Sequence, residues 1–158
     1  MEPTVNYAGF WRRLGAALAD GVVVTIAIGL IGIVLEAIGI QFVDTVTVQA
    51  TTVGGAQIEG HAELTTAGLI VSIVVSWLYF ALMESGARQA TLGKRMIGLR
   101  VTGLSGGCIG FGRATGRYFA KYLSSFILMI GYIMAGVTPR KQALHDMIAG
   151  CLVVSGKP

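Results

Sequence analysis

Charge is what this chain has least of. Asp, Glu, Lys and Arg make up 13% of its 158 residues, against roughly 25% in soluble domains. Hydrophobic residues make up 54%. So few charges cannot cover the surface of a water-soluble fold of this length, so a membrane protein is expected. Cysteine is nearly absent too. Cys108 and Cys151 lack the spacing of a metal site, and in a reducing compartment both are expected as free thiols. No signal-peptide pattern is present, because the first apolar segment is too long for an h-region and no small-residue cleavage site follows it, so that segment is expected to remain. Internal repeats and low-complexity tracts are not evident. A catalytic triad, a nucleophile elbow and carboxylates spaced for hydrolysis are all missing. "LGKR" fails as a phosphate loop, since Arg95 follows Lys94 where Ser or Thr is required. An enzyme is not expected, and neither is a metal or cofactor.

What is present is a set of long apolar segments and 23 glycines, small residues being favoured where membrane helices pack closely. The first span runs from about residue 14 to 40 and is interrupted by Asp20 and Glu36. The second, at about 64–85, has an uncharged core near the ~20 residues that cross hydrocarbon. A third segment, at about 118–138, contains Gly131 and Gly136 and is either spanning or re-entrant. Basic residues flank these segments, and the 41–63 loop has neither Lys nor Arg. The positive-inside rule therefore puts the N-terminus and the 86–117 connection in the cytoplasm and the 41–63 loop outside. The net charge of +4 is not a nucleic-acid footprint, because no aromatic-studded groove or finger motif accompanies it.

In the outer loop, Val46, Val48 and Ala50 alternate with Thr45, Thr47 and Gln49, and Gly54-Gly55 offers a turn, which predicts a small hairpin. "GLRVTG" and "GCLVVSG" are β-branched runs bounded by glycine and are expected to pair if the 139–158 tail is cytoplasmic, as its basic residues favour. Arg113, Arg117 and Lys121 recur every four residues and predict a basic stripe at headgroup level. The expected fold is an all-α membrane protein of one domain, 1–158. It is a small helical bundle with two transmembrane helices, a third membrane-embedded helix, an extracytoplasmic β-hairpin and short cytoplasmic strands.

The stretch "GFWRRLGAALADGVVV" holds the first charged constellation. Arg13 and Asp20 are seven residues apart, so a helix places them on one face about 10 Å apart along its axis. An unpaired charge at the depth of Asp20 costs at least ~2.5 kcal/mol, so its carboxylate must face protein or water. Two roles fit, a structural tie between helices or a reversible cation or proton site. Glu84 ends the second span at the level of Arg13 and is expected to pair with it. Asp146, in "LHDMIAG", is expected on a short interfacial helix as a cap or a partner of Arg140 or Lys141. Two readings are open for His145 beside it, a group that titrates near neutrality or, more commonly, an interfacial histidine with no role.

Together, "FWRRLGAALAD", "QATLGKRMIGLRV" and "RKQALHDMIAGCLVV" resemble the RDD family of small prokaryotic membrane proteins, named for one arginine and two aspartates. The resemblance implies Arg13 as that arginine, with adjacent Arg12 the alternative, and Asp20 and Asp146 as the aspartates. It also implies a multi-pass protein of the prokaryotic inner membrane, with sodium/proton antiport attributed to some members. Two functions are carried forward. The first is a small-cation/proton exchanger, which at this size needs a homo-oligomer or a partner subunit. The second is a non-transporting scaffold or regulator of a larger membrane complex. In either case Arg13, Asp20, Glu84 and Asp146 are expected to converge.

Overall fold

The computed structural model describes residues 6–46, 61–126 and 130–156. Six helices and four strands follow along the chain: α1 (Phe10–Ala37), β1 (Val43–Val46), β2 (His61–Leu64), α2 (Thr66–Ser85), α3 (Leu92–Met96), β3 (Leu99–Gly103), α4 (Phe111–Phe126), α5 (Ile130–Val137), α6 (Leu144–Ile148) and β4 (Cys151–Ser155). They fall into two compact units. One comprises Met1–Val24 with Ser76–Pro158, the other Thr25–Val75.

Among the described residues, α1 and α2 are the helices long and apolar enough to cross a membrane. At 1.5 Å per residue, their 28 and 20 residues give about 42 and 30 Å, against ~30 Å of hydrocarbon. The α1 side chains Leu18, Val22, Ile26, Leu30 and Ile33 are more than half exposed, an arrangement that costs little only in lipid. Within the 118–138 segment, α4 runs to Phe126 and α5 covers Ile130–Val137, and the residues between them lie outside the described ones.

The Thr25–Val75 unit carries the antiparallel pair β1–β2, in the register Val43↔Leu64 to Val46↔His61. Phe42 is buried there, and its carbonyl accepts from Thr65 N–H at 3.1 Å. The expected Gly54-Gly55 turn lies outside the described residues.

The other unit is organised on the antiparallel pair β3–β4, which joins "GLRVTG" to "GCLVVSG" in the register Leu99↔Ser155 to Gly103↔Cys151. The segment before α1 runs along β4. Tyr7 bridges Val154, Ala8 N–H donates to the Val153 carbonyl at 2.9 Å, and Ser155 N–H donates to Asn6 at 2.7 Å. Val101, Val153, Leu99 and Cys151 pack with Ala8, Ala16, Ala81, Ile109 and Ala114 into one buried core.

The backbone contains a duplication that the sequence does not display. Residues 89–103 and 141–155 follow the same course. Each begins on a non-glycine residue with positive φ, Gln89 at 51° and Lys141 at 48°. Each then forms a five-residue helix, α3 or α6. Each helix stops at a left-handed glycine, Gly98 (φ 70°) or Gly150 (φ 60°). A five-residue strand follows, and the two strands pair with each other. The turn bonds match as well: Gln89 N–H to Gly86 and Lys141 N–H to Thr138, both 2.9 Å. Lys94 and Asp146 occupy equivalent positions on α3 and α6. Replacing Gly98 or Gly150 by Ala forces a Cβ into the left-handed region, at about 1–2 kcal/mol. We expect each variant to melt several degrees lower in detergent. Gly29→Ala, where an added Cβ meets nothing within 4 Å, should not lower the midpoint.

A buried charge network as the candidate functional site

Three carboxylates and four cations meet within the unit built on β3–β4. Asp20, Glu84 and Asp146 are each exposed by 1% or less. Asp146 is held by Arg13 from α1 and by Arg117 from α4, with Arg117 Nε donating to Oδ1 at 2.8 Å. Arg117 Nη1 also donates to both oxygens of Glu84 at 2.7 Å. Lys94 of α3 pairs with the same Glu84, and Lys121 Nζ stands 3.9 Å from it. The result is a row of alternating sign, Arg13–Asp146–Arg117–Glu84–Lys94. Every interior member has opposite charges on both sides, as charges in a low-dielectric interior require.

Asp20 is satisfied differently. Tyr79 Oη donates to Oδ1 at 2.8 Å, Gly93 N–H to Oδ1 at 2.7 Å and Thr91 Oγ1 to Oδ2 at 2.5 Å. Tyr79 Oη in turn accepts from Leu92 N–H at 3.1 Å. The first turn of α3 has no side-chain cap from Thr91, and the Asp20 carboxylate and Tyr79 hydroxyl take two of its orphan N–H groups instead. The backbones approach closely there. A Cβ on Gly93 would fall against the Ala16 carbonyl and 2.9 Å from Asp20 Cγ.

Arg13, Asp20, Glu84 and Asp146 are thus brought together, but with different partners from those expected. Glu84 pairs with Arg117 and Lys94 rather than with Arg13. Counting along a helix fixes a residue's depth and leaves its azimuth open. Asp146 pairs with Arg13 and Arg117 rather than with Arg140 or Lys141, and it also caps its own helix by accepting from Ala143 N–H at 3.2 Å. Lys141 contributes its carbonyl to Arg13 Nη2 at 2.6 Å. Arg12 turns elsewhere, donating to the Ile97 carbonyl at 2.9 Å and to Ser155. The expected basic stripe also dissolves. Arg117 is 2% exposed at its side chain, because two buried carboxylates take it.

His145 is a second correction. It is buried, with Nε2 3.5 Å from Asp146 Oδ1. Burial first and the Arg117 charge next push it down to about 3, so it does not titrate near neutrality. Burial would raise the Asp146 carboxyl, but the Arg117 and Arg13 guanidinium groups outweigh it and hold it well below the usual range. Both cysteines are free thiols, Cys108 exposed and Cys151 buried. Among the described residues no group of His, Cys, Asp and Glu is arranged to hold a metal ion.

Arg117, Lys94, Tyr79, Thr91 and Gly93 are the contributors that sequence reasoning missed. Charge counting could have pointed to Arg117 and Lys94, since three acids near the inner end of the spans need more than one arginine, but the neutral donors to Asp20 leave no such signal.

Two apolar helices suited to a bilayer, joined to a buried network of ion pairs, define a helical membrane protein. The RDD family model matches residues 7–150, which include Arg13, Asp20 and Asp146, and the chain belongs to the RDD family. It is 32% identical over 151 residues to the "Uncharacterized protein YxaI" of Bacillus subtilis (strain 168), covering 93% of this chain and 96% of that one. It is also 32% identical over 160 residues to the "Uncharacterized membrane protein YteJ" of the same organism, covering 98% and 84%. No solved structure matches it.

Removing Arg117 cuts the row in two and takes from each of two buried carboxylates the buried cation they share. Arg117→Met should therefore destabilise the protein by about 3–5 kcal/mol, read as a lowered melting midpoint in detergent. Arg12→Met, which leaves the row intact, should cost far less. The pH dependence has a defined sign. His145 binds no proton when folded above about 3, whereas in the unfolded chain it protonates near the ordinary 6.5. Stability should fall as pH drops below about 6.5, at up to ~1.4 kcal/mol per pH unit. Asp146, depressed when folded, adds its own loss only at lower pH, as its carboxyl protonates. His145→Gln should flatten the melting profile between about pH 6 and 4.5.

Proposed function

We propose that this chain is a membrane-embedded scaffolding or regulatory module whose charge network is a fixed structural lock. The observation that carries this reading is the coordination of Asp20. Its carboxylate accepts three hydrogen bonds from neutral donors on α2, the α3 turn and the α3 backbone. Three donors from separate parts of the chain fix its position, whereas a carboxylate that carries ions must exchange partners as they come and go. The alternating row leaves Glu84 and Asp146 equally committed. In this reading the module lies in the prokaryotic cell membrane with its N-terminus cytoplasmic, and works in a homo-oligomer or beside partner subunits.

A second reading, small-cation/proton antiport, is favoured by one observation. Asp20 lines a cavity of 340 Å³, so its carboxylate borders space that an ion could enter. Purified protein in proteoliposomes with a trapped pH-sensitive dye, challenged with sodium, separates the two. The structural reading expects no sodium-driven pH change from the wild type. It also expects Asp20→Asn to lower the melting midpoint, since the neutral amide would point a donor at three donors. Sodium-driven exchange by the wild type, lost in a folded Asp20→Asn, would establish antiport instead. The orientation has a separate test. A cysteine placed at Gly54 should react with an impermeant maleimide in intact cells, and labelling only after lysis would reverse the topology.

A further inference from the structure

Helix α4 turns its polar side chains inward and its apolar ones outward. Arg117 and Ser124 are buried and Lys121 is partly buried. The opposite face exposes Phe111, Phe119, Tyr122 and Leu123, the last three by half or more. A helix with that pattern is at home where its outer face meets lipid. Contacts with α2 set the depth of this face. Thr115 Oγ1 accepts from Trp77 Nε1 at 3.1 Å, and the Trp77 ring lies 6.0 Å from Phe111 and 6.3 Å from Phe119. Trp77 stands about 12 Å before the end of α2 at Ser85, at 1.5 Å per residue. Helix α4 therefore crosses the last turns of a span, where aromatic rings mark the border between hydrocarbon and headgroups.

Between α4 and the end of α6 this surface opens into a groove of 670 Å³, lined by Leu104, Gly112, Arg113, Gly116, Met147 and Ile148. Leu104, Met147 and Ile148 are each exposed by half or more. A Cβ on Gly112 or Gly116 would meet nothing within 4 Å, so the floor is open. Arg113 is the one charged side chain among the described lining residues. It forms no ion pair or side-chain hydrogen bond among the described residues. The exposed charge of this unit has a single sign. Its described carboxylates, Asp20, Glu84 and Asp146, are all buried, while Arg12, Arg88, Arg95, Arg140 and Lys141 are exposed. Protein surfaces present charges of both signs, whereas a leaflet of anionic headgroups presents only one.

We propose that the groove seats an anionic phospholipid, with its headgroup phosphate on Arg113 and its acyl chain against Gly116, Met147 and Ile148. The exposed face of α4 rests in the same leaflet. This goes beyond the scaffold reading and holds whether the charge network is a lock or an exchanger.

The test reads the fluorescence of Trp77, the one tryptophan left in a Trp11→Phe chain. The full chain is reconstituted in phosphatidylcholine vesicles that contain brominated phosphatidylglycerol or brominated phosphatidylcholine at equal mole fraction. Quenching by the brominated phosphatidylglycerol should be the stronger, with a relative association constant of about five, as one arginine near an anionic surface gives. Arg113→Gln and Gly116→Leu, the latter filling the groove, should each bring that ratio close to one. Arg113→Lys should keep it, and so should Arg95→Gln on α3. Melting in detergent establishes that each variant folds, and Gly116→Leu serves if Arg113→Gln does not. Equal quenching by the two lipids in the Trp11→Phe chain would overturn the proposal. So would a preference that survives in a folded Arg113→Gln or Gly116→Leu. Quenching by neither lipid would mean that another chain covers this face, and would overturn it as well.

Discussion

The guanidinium of Arg117 is the constraint on which the rest of this architecture depends. It faces Glu84 on one side and Asp146 on the other, both fully buried. Desolvating three charges is expensive, and only near-ideal geometry offsets it. That requirement fixes which face of α4 turns inward and how close α6 must lie to the end of α2. Lys94 and Arg13 extend the row by one cation at each end. Losing an end member therefore weakens one acid's pairing, whereas losing the middle cuts the row in two and weakens both.

Asp20 meets the same cost by another route. It recruits neutral dipoles, and its oxygens finish the first turn of a helix too short to be stable alone. Gly93 is where this arrangement is least tolerant of change, because α3 reaches Asp20 only if no side chain stands between its backbone and Ala16. The duplicated course of residues 89–103 and 141–155 sets Lys94 and Asp146 at matching places with opposite charges. One backbone plan thus supplies a cation to Glu84 and an anion to Arg13.

The spans were legible because an apolar run of some twenty residues matches the thickness of a bilayer and little else. Their ends shifted: α1 starts at Phe10 because Phe10–Arg13 already lie in its first turn, and it stops at Ala37 ahead of Gly39, whose φ is 86°. The β3–β4 pair could be read from glycine-bounded β-branched runs. Asp20 was recognisable as a buried charge, since it sits at a depth where exposure is costly, and Arg13, Glu84 and Asp146 as its neighbours, by their level at the inner interface and the motif they share. Arg117 was not, because a four-residue spacing of basic residues looks the same on a solvated face as on a buried one. The duplication escaped notice because it rests on backbone dihedrals and two matched glycines more than on shared side chains. His145 shows the converse limit, since burial overrides a residue's ordinary chemistry and leaves no trace in local sequence.

The ladder formed by the segment before α1 and β4, together with the Arg13–Asp146 pair 133 residues apart in the chain, imposes an order on biosynthesis. The ribosome makes Arg13 and Asp20 first, when neither α3 nor α6 yet exists to meet them. During that interval α1 must remain near the translocon or at the bilayer surface with two unmatched charges, each costing a few kcal/mol at the centre of a membrane. Assembly of this unit closes only when the last strand emerges and pairs beside Tyr7 and Ala8. A nascent chain halted before residue 141 would hold both apolar helices and no completed network, a state for quality-control proteases to recognise.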